Sequence, residues 1–303
     1  MIITVASGKG GTGKTTIACS LALALRDLDP IVLDCDVEAP NAHITLRPQL
    51  SPPETVSMLI PEVQPELCTA CGRCAEVCPY HAVVTLGGKV LVFPELCHGC
   101  GSCARNCPED AIVEVKKPIG VVESGRTEAG FSFAHGVLNI GEPMAVPIIR
   151  ELKSRSFNAH NGLTIRDAPP GTACPVVETL RGADFALMVT EPTPFGLHDL
   201  RLAVDVARTL GIPAGVVINR EGIGDEAVAD FCMATGIPIL MRIPLAREIG
   251  AAIARGDSLV ESFPEYAPKF REMYARIQDL VHAESSEASK GKNASHPDDG
   301  DEE

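Results

Sequence analysis

Eight consecutive residues, Gly8-Lys9-Gly10-Gly11-Thr12-Gly13-Lys14-Thr15, constrain this chain more than any other feature. They follow Ile2 to Ala6, which reads as a short buried strand, and precede Ile17 to Leu25, whose apolar character suits a helix. A strand, a glycine-rich loop ending Gly-Lys-Thr, and a helix form the P-loop pattern in the context that the motif requires. Glycines let backbone N–H groups converge on phosphate oxygens, Lys14 adds a point charge, and the Thr15 hydroxyl can ligate Mg²⁺. Gly8, Gly10, Gly11, Thr12, Gly13, Lys14, Thr15 and Thr16 are therefore candidate nucleotide-binding residues.

The strand-then-helix rhythm continues. Ile31 to Leu33, Leu163 to Ile165, Phe185 to Val189, Ala214 to Ile218 and Ile239 to Ile243 read as strands, with helices expected at His198 to Leu210 and Asp225 to Thr235. Such alternation predicts an α/β fold, a mostly parallel P-loop NTPase sheet covered by helices on both faces. Acidic residues end two of the strands: Asp34-Cys35-Asp36 after the second, and Asp167-Ala168-Pro169-Pro170-Gly171 after Leu163 to Ile165. The carboxyl edge of such a sheet is where ligands bind, and carboxylates there can hold Mg²⁺ or orient an attacking water.

Between about Pro61 and Pro118 the rhythm breaks, and eight of the twelve cysteines fall there. Pro65-Glu66-Leu67-Cys68 resembles Pro94-Glu95-Leu96-Cys97, and each cysteine block is followed by a short apolar strand, Ala82 to Thr85 and Ala111 to Val115. Residues 61–118 are thus expected to be an inserted small α+β domain, dividing a P-loop domain of residues 1–60 and 119–282. The spacing Cys68-x2-Cys71-x2-Cys74-x3-Cys78-Pro79 recurs as Cys97-x2-Cys100-x2-Cys103-x3-Cys107-Pro108. It is similar to bacterial ferredoxins, in which the fourth cysteine of each run ligates the other cluster. That resemblance implies one 4Fe-4S cluster on Cys68, Cys71, Cys74 and Cys107, and a second on Cys97, Cys100, Cys103 and Cys78. Paired Cys-x-x-Cys motifs also bind zinc, but two complete ferredoxin blocks favour iron and sulfide. Cys19, Cys35 and Cys232 lie in apolar or strand-like surroundings and read as small buried hydrophobes.

Lys9 makes the loop more specific. Lys-Gly-Gly-Thr-Gly-Lys-Thr resembles the deviant Walker A signature of the MinD, ParA, Mrp and nitrogenase iron protein families, and with the cysteine blocks it resembles MinD-superfamily ATPases carrying an inserted ferredoxin domain. The resemblance spans about Met1 to Val281. It implies that Lys9 reaches across an ATP-bound homodimer to the partner's nucleotide, and that Lys9, Lys14 and Asp36 are catalytic, Asp36 positioning the water. It further implies Asp34, Asp167 and Thr15 around Mg²⁺, the Gly171 N–H on the γ-phosphate, and Asn219 and Pro244-Leu245 at the adenine. Cys174 lies where the nitrogenase iron protein has one of two cluster cysteines, but the position of the other is Phe133, leaving Cys174 as a switch-linked thiol or a packing residue. Pro143 to Pro147 departs from the family's small-residue segment, and the charge of Arg166 at the end of a strand has no explanation in the sequence.

The implied function is slow, partner-dependent ATP hydrolysis coupled to electron transfer or to metallocluster assembly on another protein. Its expected cofactors are ATP/ADP, Mg²⁺ and two 4Fe-4S clusters; its expected partner is a redox or metallocluster-binding protein, such as a small molybdenum-cluster protein. A ParA-like positioning ATPase and a binding module with little turnover are the other classes. A net charge of −14 argues against a nucleic-acid face, and no apolar run approaches a membrane span, so a cytoplasmic protein is expected. From Ala283 to Glu303 seven acidic residues stand against two lysines with almost nothing apolar, the composition of a disordered tail.

Overall fold

The computed structural model describes residues 1–155 and 162–293. Its strands are β1 (Ile2–Ala6), β2 (Ile31–Asp34), β3 (Gln49–Leu50), β4 (Glu54–Val63), β5 (Val83–Leu86), β6 (Lys89–Val92), β7 (Ile112–Arg126), β8 (Ser132–Leu138), β9 (Thr164–Asp167), β10 (Phe185–Thr190), β11 (Ala214–Glu221) and β12 (Ile239–Pro244). Its α-helices are α1 (Lys14–Ala24), α2 (Ala42–Leu46), α3 (Arg73–Glu76), α4 (Ser102–Arg105), α5 (Val146–Ser154), α6 (Cys174–Leu180), α7 (Pro194–Thr209), α8 (Ala227–Thr235), α9 (Arg247–Ala254), α10 (Leu259–Ser262) and α11 (Tyr266–Asn293).

All strands but β5 and β6 join one sheet, in the order β12-β11-β10-β1-β9-β2-β8-β7-β3, with β4 also paired to β7. From β12 to β8 neighbours are parallel; β7 is antiparallel to β8, and β3 and β4 are antiparallel to β7. This is the mostly parallel sheet that the alternation predicted. Successive residues on a strand face opposite sides, so the apolar runs feed two cores. Ile3, Val5, Leu187 and Val189 pack with Ile17 and Leu21 of α1 and Phe270, Met273 and Ile277 of α11. Ala6, Ala186, Met188 and Val216 pack on the other face with Val176 of α6, Leu200 and Val204 of α7, and Val228 of α8. A third core under β2, β7 and β8 is closed by Ile148, Ile149 and Leu152 of α5.

Several boundaries move. Helix α7 begins four residues before the predicted 198 because Pro194 suits a first helical position and the Thr193 hydroxyl accepts the Gly196 N–H at 3.0 Å. The short strand expected at 111–115 is the start of the fifteen-residue β7, whose residues 112–122 pair with the unpredicted β4, from Glu54↔Val122 to Val63↔Ile112. Pro61 and Pro118, which suggested the limits of an insertion, therefore lie inside two strands. Pro118 stands opposite Ser57, where the register shifts, and a proline that cannot donate to the ladder is tolerated at such an irregularity. α11 runs through residues 283–293, where a disordered tail was expected, because Ala, Glu and Lys prolong a helix already anchored by Phe270. The rest of that expected tail, 294–303, lies outside the described residues. No helix among the described residues is long and apolar enough to cross a membrane.

Beyond the sheet, the β4–β7 ribbon carries the cysteine segment. There β5 and β6 form a separate hairpin, and Cys74, Val83, Cys103 and Ile112 make a small core of their own.

Candidate functional site

Gly8–Thr15 leaves β1 and enters α1, with Gly11 and Gly13 at φ +79° and +95°, a backbone conformation suited to glycine. Gly8 has a different constraint: a Cβ there would lie 2.2 Å from the Asp199 carbonyl oxygen in α7. At Gly10 the nearest atom to such a Cβ is Pro170 Cβ at 4.0 Å. Gly8→Ala is thus expected to cost about 1–3 kcal/mol of stability, as overpacking does, and to lower the urea midpoint, with Gly10→Ala nearly neutral. Equal midpoints for the two variants would show that the loop does not depend on close approach to α7.

The loop opens into a cleft of about 400 Å³. Gly10, Gly11, Gly13, Lys14, Thr15 and Thr16 form its floor, with Asp36, Asn41 and Pro170 beside them. The far wall is Asn219, Arg220, Pro244, Leu245 and Ala246, continued by Ile249, Gly250, Ile253 and Ala254 of α9. Asn41, Arg220 and the α9 wall were not foreseen from the sequence. Arg220 adjoins a predicted residue and has a left-handed backbone, φ 56°, and α9 joins the cleft as the helix that follows β12.

The parallel register sets Asp34 beside Asp167, both fully buried at the carboxyl edge. The Thr15 hydroxyl donates to Asp167 Oδ2 at 2.5 Å, while Asp167 Oδ1 is buried without a hydrogen-bond partner among the described residues. Burial, then the neighbouring Asp34, pushes the Asp167 carboxyl well above its usual range, and the Thr15 hydroxyl pulls it back. An unpaired buried oxygen beside a threonine hydroxyl fits a divalent cation with its water shell. Lys14, lowered by burial and raised by Asp167, Asp36 and Asp34, supplies the cation on the same floor.

Asp34 does not line the cleft. Its Oδ1 accepts the Asp36 N–H at 3.1 Å, and its Oδ2 accepts the N–H groups of Asn41 and Ala42 at 2.9 and 3.0 Å. The expected metal-shell carboxylate is thereby engaged as a bracket for the segment that carries Asp36. Burial still pushes it up to about 6, against those N–H groups. The Gly171 N–H donates to the Ser7 carbonyl at 3.0 Å, so a contact with phosphate requires that loop to shift. Thr12 is buried, and its carbonyl accepts Asn219 Nδ2 at 2.8 Å, tying the base-side wall to the loop. Lys9 points to Glu191, 3.1 Å away, and Glu191 also binds Arg220.

Arg166 has a structural explanation. It is buried and donates to the carbonyls of Thr179 and Arg181, both at 3.1 Å, satisfying the end of α6. Cys174 is exposed at the start of α6, and Phe133 is fully buried in β8. Cys19, Cys35 and Cys232 are buried, with burial pushing Cys35 up to about 12 and Cys232 to about 11.

The eight remaining cysteines line two small hollows. Cys68, Cys71, Cys74 and Cys107 face the first, and Cys97, Cys100, Cys103 and Cys78 the second. Each fourth cysteine thus crosses to the other block's hollow. The backbone repeats at an offset of 29 residues: Ala70 and Gly99, Gly72 and Gly101, and His81 and Asp110 all have positive φ. N–H groups of Ala82 and Ala111 donate to Cys78 and Cys107 Sγ, each at 3.3 Å, and that of Gly99 to Cys97 Sγ at 3.4 Å. Four thiols around a hollow with N–H···S bonds suit an iron–sulfur cluster. Among the described residues no group of three or more His, Cys, Asp or Glu is disposed to hold a single metal ion.

Comparison with known proteins supplies the family. The model of the CobQ/CobB/MinD/ParA nucleotide binding domain matches residues 3–260. An uncharacterized protein of Methanocaldococcus jannaschii is 30% identical over 93% of this chain and 98% of its own length. An iron-sulfur cluster carrier protein of Aquifex aeolicus is 26% identical, over 87% of this chain and 63% of its own. The fold is similar to that of the septum site-determining protein MinD from Pyrococcus horikoshii, solved with Mg-ADP, with a TM-score of 0.55 at 18% identity over 92% of this chain and 96% of that one.

Proposed function

The chain belongs to the CobQ/CobB/MinD/ParA family of nucleotide-binding domains, and from that premise we propose that it is an ATP-hydrolysing dimer whose closure serves two iron–sulfur clusters. The observation that carries this reading is the mounting of two four-cysteine hollows on a ribbon, β4–β7, continuous with the sheet that forms the nucleotide cleft. The name of the Aquifex aeolicus relative supports the handling of clusters.

Lys14 and the loop N–H groups cradle the phosphates, and Thr15 with Asp167 would hold Mg²⁺, which would neutralise charge on the phosphate oxygens. Asp36 orients the attacking water, and Asp34 keeps that segment in place through its three N–H bonds. Asn219, Pro244 and Leu245 take the adenine against the apolar α9 wall. Lys9 leaves Glu191 to reach the nucleotide of a second copy. Cys68, Cys71, Cys74 and Cys107 would hold one 4Fe-4S cluster, and Cys97, Cys100, Cys103 and Cys78 the other, which would supply one-electron chemistry. The product of the cycle is electron transfer to, or metallocluster loading of, a partner protein in the cytoplasm.

Anaerobically purified protein is expected to contain about eight iron and about eight acid-labile sulfide per chain. Reduction potentials or partner affinities, measured with ADP and with a non-hydrolysable ATP analogue, should differ by at least about 1 kcal/mol, roughly fivefold, the lower end of known couplings. Stoichiometric zinc without sulfide would remove the cluster assignment, and identical values in both nucleotide states would remove the coupling.

A further inference from the structure

The two cysteine hollows are related by the 29-residue repeat, and the places where the repeat is broken carry a consequence for the clusters that the preceding section assigns to them. Each block is followed by a strand: Ala82-Val83-Val84-Thr85 after the first, Ala111-Ile112-Val113-Glu114 after the second. Thr85 and Glu114 hold equivalent positions, each beside the glycine that follows the second cysteine of a block. A Cβ at Gly72 would find Thr85 Oγ1 at 3.9 Å; one at Gly101 would find Glu114 Oε1 and Oε2 at 3.2 and 3.6 Å. A hydroxyl beside the first block, outside the lining of its hollow, is thus replaced by a carboxylate that lines the second.

The remaining lining does not cancel that charge. Arg73 and Glu109 line the first hollow, one charge of each sign, and Arg73 pairs with Glu76, outside that lining, at 3.2 Å. Among the described residues Glu114 is the acid of the second lining, and its one basic side chain is His98, with no Lys or Arg. Where the first hollow has Thr69 and Glu109, the second has His98 and Tyr80, whose rings stack 3.7 Å apart at 9°. These stacked rings are part of the second lining and have no counterpart among the residues of the first. The second hollow is also the one nearer the nucleotide sheet. Leu59 and Pro61 line it, whereas Val63 and Ile112, at the far end of the ribbon, line the first.

We propose that Glu114 makes the two sites electronically unequal, lowering the reduction potential at Cys97, Cys100, Cys103 and Cys78 relative to Cys68, Cys71, Cys74 and Cys107. The inference rests on the cluster reading above. Adding an electron beside a carboxylate is opposed by like charge, and net charge and solvent exposure are established determinants of cluster potential. An electron on the half-reduced protein then resides at the tip of the ribbon, on the site farther from the nucleotide.

The test is an anaerobic redox titration of the full chain, followed by the paramagnetic resonance signal of the reduced protein, with iron and sulfide measured on each sample. The native chain is expected to show two one-electron waves. Glu114→Gln should raise the lower wave by about threefold in its reduction equilibrium, roughly 30 mV for one electron, and leave the upper wave in place. Glu114→Asp should stay close to native, and Thr85→Glu should lower the upper wave. A single wave in the native chain overturns the proposal, as does an iron-loaded Glu114→Gln protein in which neither wave moves or both move equally. A native chain without iron and sulfide overturns the cluster reading itself, and this inference with it.

Discussion

Lys9→Ala is expected to slow ATP hydrolysis by about 10²–10³-fold while changing ATP affinity by only a few fold. Loss of one preorganised charge aimed at a phosphoryl-transfer transition state has that order of effect, and larger losses attend removal of a cation supplied in trans. The selectivity follows from the geometry. Lys14 lies on the floor of the cleft with the loop glycines, so binding within one chain survives. Lys9 is not among the cleft-lining residues; its ammonium is held 3.1 Å from Glu191, which also engages Arg220 on the far wall. A lysine so placed can act on phosphate only after leaving Glu191, and the proposed dimer gives it a place to go. Single-turnover hydrolysis and nucleotide titration on the same preparation separate the two quantities. A variant that hydrolyses at the native rate, or that loses affinity as much as rate, would remove the cross-dimer role.

Cys78→Ala is expected to remove the cluster assigned to the second block, although Cys78 belongs in sequence to the first. The hollow lined by Cys97, Cys100 and Cys103 includes Cys78, and the one lined by Cys68, Cys71 and Cys74 includes Cys107. Double variants make the crossing measurable. Cys78→Ala with Cys100→Ala should retain about four iron per chain, since both changes fall on one cluster, whereas Cys78→Ala with Cys71→Ala should retain almost none. The opposite pattern would mean that each block holds its own four cysteines. ATP affinity should persist in all of these proteins, because none of the eight cysteines lines the nucleotide cleft.

Much of this architecture is written locally. A loop that must curl around phosphate needs glycines at fixed intervals, and a buried parallel strand needs a short continuous apolar run, so the loop and six core strands are legible from adjacent residues. The cysteine spacing is local in the same sense: residues three apart in a tight turn can face one hollow, and the 29-residue repeat is visible in the order of residue types. Gly10, Gly11, Gly13, Lys14, Thr15, Thr16, Asp36, Asn219 and Pro244 come together in one cleft as the motif pattern suggests.

Other features depend on partners distant in the chain. Asp34 has the sequence context of a metal ligand, and only the fold shows that the N–H groups of Asn41 and Ala42, where α2 begins, reach its carboxylate. Arg166 is inexplicable from its neighbours and straightforward once α6 ends against it, because buried carbonyls at a helix end need donors. The long β4–β7 ribbon was hidden by its prolines: whether a proline ends a strand depends on what lies opposite, here a register shift at Ser57. Gly8 is read from the motif as a phosphate-loop glycine, yet what forbids a side chain there is the backbone of α7, some 190 residues later. The sequence by itself therefore determined the residue types that chemistry requires and the strand–loop–helix frame that displays them. The tertiary structure decided which of those groups are already committed to the protein's own backbone and which remain open to a ligand, because that depends on hydrogen-bond partners and close packing between segments that the chain brings together only on folding.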